Sequence, residues 1–204
     1  RCPKILFICC NSIKTLKFDK LKSLTIIDSY AKFTHIPLLE ELKMSGIFMM
    51  VTPINMLSIK TLSMSHYTDD IWFPDCTKLE KLHLNMSRPE ELDNRGWIPV
   101  KLPYMPNLKE LDLRKVHTTL GAELIKLTNL KLVHGFINLP DTCTQLHTLY
   151  LSRCFIKDLK IPTTYTKLKN LTFNSYKVHC MHLSTTKYSN NKQFMHYYKQ
   201  YCIN

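Results

Sequence analysis

Apolar and polar positions alternate in short bursts along the chain, and the bursts recur. The pattern Leu-x-x-Leu-x-Leu stands at Leu79/Leu82/Leu84, Leu108/Leu111/Leu113, Leu127/Leu130/Leu132 and Leu146/Leu149/Leu151. Softer copies stand at Leu21/Leu24/Ile26, Leu39/Leu42/Met44, Ile59/Leu62/Met64 and Leu168/Leu171/Phe173. A degenerate copy opens the chain, with Pro3 in the first slot followed by Leu6 and Ile8. The units therefore begin near residues 3, 21, 39, 59, 79, 108, 127, 146 and 168, at steps of 18, 18, 20, 20, 29, 19, 19 and 22. A period near twenty marks a solenoid, in which one unit cannot bury its own apolar face and depends on its neighbours. The final Leu-x-Leu of each unit predicts a short strand, leucines inward and the residues between them outward. Parallel strands lie about 4.8 Å apart, so nine make a sheet on the order of 40 Å wide.

The segments returning from one strand to the next are too short for long helices. They carry Pro37, Pro53, Pro74, Pro103, Pro140 and Pro162, which suits extended or 3-10 backbone. The 29-residue step contains an insertion of roughly ten residues that includes Arg88, Arg95 and Trp97. Insertions in solenoids emerge as loops, often on the binding side, and Trp97 reads either as an exposed anchor or as a ring folded back over the core. Trp72 fills a slot that usually takes Leu and reads as core. From Lys177 to Asn204 the period breaks, and Phe194, Tyr197, Tyr198 and Tyr201 follow at helix-compatible spacing. That segment is expected to be a partly helical cap over the open end of the stack; an aromatic, basic tail gripping nucleic acid is the rival.

The unit beginning at Leu146 continues with Leu149, Leu151, Cys154, Ile156, Leu159, Ile161 and Pro162, and the first unit carries Asn11, Ile13 and Leu16. In this frame, L-x-x-L-x-L-x-x-N/C-x-L-x-x-L-P, residues 3–176 resemble the leucine-rich repeat family. The short, Pro-punctuated units are similar to those of plant intracellular immune receptors and bacterial effectors. The Asn/Cys slot holds Ser29, Ile47, Tyr67, Ser87, Val116, Gly135 and Tyr176 in other units, so a regular asparagine ladder is not expected. The resemblance implies an α/β solenoid: a right-handed leucine-rich-repeat arc over residues 1–176, with a parallel β-sheet on the concave face, a mostly irregular or 3-10 convex side, and a cap at 177–204. It also implies a non-catalytic protein-protein recognition module serving immune recognition, or an effector or adaptor. The concave face would then bind a partner protein through Lys43, Lys81, His83, Asn85, Asp112, Arg114, Lys131 and Tyr150, with Arg88, Arg95 and Trp97 added by the loop. A solvated sheet face is polar in any case, which is the plainer reading of the same residues.

Charge adds a second possibility. The net charge is +12, and residues 101–204 hold 15 Lys/Arg against 5 Asp/Glu, while residues 1–100 hold 13 against 11. This asymmetry reads as solubility and composition, or as polyanion binding (nucleic acid, glycan or anionic lipid) by the C-terminal half. Catalytic signals are missing. The chain has only Gly46, Gly96, Gly121 and Gly135, so no phosphate-binding glycine loop exists, and neither Gly-x-Ser-x-Gly nor His-Glu-x-x-His occurs. His179-Cys180-Met-His182 lacks the spacing and partners of a closed zinc site. No cofactor, metal or enzymatic activity is therefore expected.

Eight cysteines would suit a secreted disulfide framework, but Cys76 and Cys143 share the slot filled by Met56, Met105, Leu124 and Tyr165, and Cys154 takes the Asn/Cys slot. These three read as buried thiols. Cys2, Cys9 and Cys10 cluster at one end, Cys180 and Cys202 at the other, and Asn85 and Asn170 open glycosylation triplets. A cytoplasmic location is preferred and secretion is the alternative. The longest apolar run, Ile5 to Cys10, is too short to span a membrane. The chain starts at Arg1, already inside a unit, and reads as a processed product or a piece of something longer.

Overall fold

The computed structural model describes residues 4–8, 13–28, 31–46, 58–65, 73, 76–86, 98–154 and 162–174. Trp72, the loop residues Arg88, Arg95 and Trp97, His179–His182 and the 177–204 segment lie outside them. The chain forms a parallel-strand β-solenoid. Nine strands make one parallel sheet in chain order: β1 (Lys4–Ile8), β3 (Ser23–Ile27), β5 (Glu41–Ser45), β6 (Thr61–Ser65), β7 (Lys81–Asn85), β9 (Glu110–Arg114), β11 (Asn129–Val133), β13 (Thr148–Ser152) and β14 (Asn170–Asn174). The intervening segments add β2 (Ile13–Lys17) paired with β4 (Ala31–His35), and a three-stranded sheet ordered β12 (Phe136–Asn138), β10 (Val116–Thr119), β8 (Ile98–Pro99). All pairings are parallel.

Each of the nine units supplies one strand of the main sheet, and neighbours align residue for residue. Leu82 faces Leu111, Leu111 faces Leu130, and Leu130 faces Leu149. The inward positions of the main-sheet strands β3, β5, β6, β7, β9, β11 and β13 are at most 3 % exposed, and so are the leucines and isoleucine three residues before them, Leu21 to Leu146. Burial of each such side chain contributes roughly 1.5–3 kcal/mol, and only a neighbour on each side makes burial complete. Cys76, Cys143, Met105, Leu124 and Tyr165 occupy one buried slot as the repeat frame requires, each at most 1 % exposed.

The first unit departs from its expected frame. Ile5 pairs with Leu24 and Phe7 with Ile26, so the in-register residues are Ile5 and Phe7 and not Leu6 and Ile8. A one-residue slip exchanges the two faces of a strand. The run from Ile5 to Cys10 is apolar throughout, so its alternation carried no information about phase.

The return side also differs from expectation. No helix, α or 3-10, occurs among the described residues; the returns are tight turns and short strands. In β10, Val116 and Thr118 are buried while His117 and Thr119 are exposed. That period of two belongs to a strand, and β-branched side chains favour one. The Thr118 hydroxyl donates to the Val100 carbonyl at 2.7 Å, which satisfies a buried polar group across units. Pro99 sits on β8, an edge strand of its sheet, where a missing N–H is tolerated.

Five of the main strands, β3, β5, β9, β11 and β13, are followed by a sharp corner. Asp28, Lys115, His134 and Arg153 adopt φ of 45°, 54°, 51° and 52°, and Gly46 adopts 139°. The N–H of each corner residue donates to the last strand carbonyl of the next unit: Asp28 to Ser45 (2.8 Å), Lys115 to Val133 (2.8 Å), His134 to Ser152 (2.8 Å). That bond holds four non-glycine residues in a conformation costing about 1–2 kcal/mol each. At Gly46 a Cβ would lie 2.8 Å from Asp28 Oδ1 and 3.0 Å from Asp28 Cα, so glycine is required there. At the next position the asparagine ladder is replaced by Val116, Gly135 and Cys154. The buried Cys154 thiol donates instead, 3.3 Å from the Ser152 carbonyl oxygen and 3.5 Å from that of Leu132.

Candidate functional site

The outward positions of the main sheet form columns. The central column reads Thr25, Lys43, Ser63, His83, Asp112, Lys131, Tyr150 and Thr172, each side by side with the next. Register thus brings together residues 29 and 19 positions apart in the chain, and its chemistry gathers on Asp112. His83 Nδ1 donates to Asp112 Oδ2 at 3.1 Å. Arg114, two residues on and so on the same side of the strand, clasps the carboxylate with two bonds, Nε to Oδ1 at 3.2 Å and Nη2 to Oδ2 at 3.1 Å. Lys131 Nζ stands 3.7 Å from Oδ2 and 5.4 Å from the centroid of the Tyr150 ring.

Partial burial pushes the Asp112 carboxyl up, but the bonds from His83 and Arg114 outweigh it and hold it at about 2. The same bond raises Arg114. Beside this group Lys81 Nζ meets Glu110 Oε1 at 2.8 Å, which raises Lys81. A shallow depression of about 470 Å3 opens over the cluster, floored by strand residues from Thr61 to Tyr150. The structure therefore gathers Lys81, His83, Asp112, Arg114, Lys131 and Tyr150. Lys43 lies two units away in the same column and does not line the depression; Asn85 pairs with Arg114 beside it.

One surface was missed in sequence. The residue immediately before each strand runs Lys22, Glu40, Lys60, Glu80, Lys109, a ladder of alternating sign. Glu40 lies 3.0 Å from Lys22 and 2.9 Å from Lys60, and Glu80 lies 2.9 Å from Lys109. Hydrogen bonds from Lys60 and Lys22 lower the Glu40 carboxyl to about 2, and the bond from Lys109 lowers Glu80. The signal was available: aligning the nine units places these five residues in one column.

Other chemistry is sparse. A return-side depression of about 560 Å3 is lined by Val100, Lys101, Met105, His117, Thr119 and Glu123 among others. Among the described residues no group of three His, Cys, Asp or Glu is placed to hold a metal. Cys76, Cys143 and Cys154 are buried and in no disulfide, and desolvation pushes Cys143 and Cys154 up to about 11, away from reactive thiolates. No helix among the described residues is long and apolar enough to cross a membrane. Comparison of the chain with known protein families, curated proteins and solved structures finds no match.

Proposed function

We propose that this protein is a non-catalytic recognition module that binds a partner protein on the outward face of its nine-stranded sheet. The supporting observation is the Asp112 cluster. A half-buried carboxylate fixes Arg114 and His83 before any ligand arrives, with Lys131 and Tyr150 alongside at the floor of an open depression. Side chains ordered in advance lose little entropy on association, and Arg and Tyr are enriched among the residues that dominate interfaces. In this proposal the sheet is the concave face of a right-handed leucine-rich-repeat arc, and the module acts in the cytoplasm in immune recognition or as an effector or adaptor.

The test compares wild-type chain with a Lys81→Ala/His83→Ala/Asp112→Ala/Arg114→Ala variant as affinity baits. Partners retained by the wild type should be lost by the variant while its cooperative melting persists. Recovery of the same partners by both would remove the sheet-face proposal.

A further inference from the structure

The leading rim of the main sheet, made by residues just before each strand, changes character along the stack. Immediately before the strands it runs Lys22, Glu40, Lys60, Glu80 and Lys109, then Thr128, His147 and Lys169. Two residues earlier, the last five units carry Lys78, Asn107, Lys126, Gln145 and Lys167. In the first part of the rim, ammonium groups face carboxylates. In the last part they face amides: Lys126 Nζ donates to Asn107 Oδ1 at 2.6 Å and Lys167 Nζ to Gln145 Oε1 at 2.5 Å. A carboxamide oxygen accepts the bond and orients the cation without cancelling its charge.

Lys126, Lys167 and Lys169 are exposed. Backbone bonds set their units side by side, with the Lys169 N–H donating to His147 O at 2.9 Å and the His147 N–H to Thr128 O at 2.8 Å. Lys126 and Lys167 occupy one column two units apart, roughly 10 Å. From Leu124 to the C-terminus the sequence has 11 Lys/Arg against two acids, Asp141 and Asp158, and neither falls in a rim position.

We propose that the leading rim of the last three units, centred on Lys126, Lys167 and Lys169, binds the phosphodiester backbone of duplex nucleic acid without reading its sequence. Exposed lysines are the ordinary ligands of that backbone, and the exposed Thr144 and Thr166, next to Gln145 and Lys167 in sequence, add hydroxyl donors. Among these rim positions the only ring is the His147 imidazole; no Phe, Tyr or Trp forms a row on which successive bases of a single strand could stack. They belong to turns and strand starts, and present no helix or ribbon to enter a groove. Cys143 and Cys154 are buried thiols in no disulfide, which suits a reducing compartment, where the linear polyanions are nucleic acids and not sulfated polysaccharides. This surface is separate from the Asp112 cluster and stands or falls independently of it.

The experiment titrates a fluorescently labelled, mixed-sequence DNA duplex with the full chain at several salt concentrations and follows anisotropy. Wild-type affinity should fall linearly on a log–log plot against salt. A Lys126→Gln/Lys167→Gln/Lys169→Gln variant should bind about tenfold more weakly at low salt, with the slope reduced by about 2.7, near 0.9 for each lost phosphate contact. Lys169→Gln alone should reduce the slope by about 0.9. A Lys22→Gln/Lys60→Gln variant, altered where acids already balance the rim, should bind as wild type. Thermal melting of each variant confirms folding. Salt-independent wild-type binding, a triple variant indistinguishable from wild type, equal loss in the Lys22/Lys60 variant, or binding of heparin but not of duplex would each overturn the proposal.

Discussion

The inward and outward sides of the same strands follow opposite rules. Inward, Leu82, Leu111, Leu130 and Leu149 repeat one side chain across four units. Outward, the residues one position later are His83, Asp112, Lys131 and Tyr150, all different. The inward position meets an identical neighbour in a filled space, where any change of volume leaves a gap or a clash. The outward position meets solvent and two side-chain neighbours, where change is tolerated. Burial of the inward columns therefore repeats through the inner units and weakens at Ile5 and Leu168 near the ends, while distinctive chemistry is local.

The largest test of this contrast is Leu111→Ala. It should lose about 2–5 kcal/mol in urea denaturation, because packed neighbours on both sides cannot collapse into the void. A loss below about 1 kcal/mol would erase the distinction between the two sides. Gly46→Val comes next, with an expected loss of about 1–3 kcal/mol, since the added side chain meets Asp28 and the backbone lies at a φ that valine avoids. A neutral outcome there would mean that the corners carry none of the stability.

Asp112 probes the outward side. Its carboxyl is held at about 2 against an ordinary 3.8, so its stabilising bonds are present above pH 4 and lost as pH falls from about 4 to about 2. The group is partly exposed, and solvent screening reduces the effect to about 1 kcal/mol. In Asp112→Asn that step in the pH dependence of stability should vanish, while neutral-pH unfolding stays cooperative. The smallest effect concerns Glu40. Its carboxyl should titrate near 2 by NMR in wild type and return toward 4.5 in the Lys22→Gln/Lys60→Gln variant. An unmoved titration would show that the ladder is not formed in solution.

In the first unit the unbroken apolar run put the expected columns one residue out. Sequence spacing was enough to place the main sheet, its inward columns beyond that unit and the slot shared by Cys76 and Cys143, because a leucine every second and third residue leaves few alternatives. The outward column was legible for the same reason. That His83, Arg114 and Lys131 converge on one carboxylate was not, since this depends on which units are adjacent and on side-chain reach. Three of the five corners left no mark in the letters: Lys115, His134 and Arg153 lack the glycine that usually betrays a left-handed residue. The return strands were missed because Val116 to Thr119 gives only two inward positions, too few to separate a period of two from one of three.

β7 and β9 pair without a shift in register although their units are 29 residues apart, against 18 to 22 elsewhere. The Met86 N–H still reaches Arg114 O at 2.9 Å, and Asn107 Nδ2 still reaches Thr77 O at 2.7 Å. Extra chain at this junction leaves the sheet undisturbed, which makes it a natural splice point. A foreign loop or small domain grafted between residues 87 and 97 should leave the pairing of β7 with β9 intact and be carried by the scaffold as cargo.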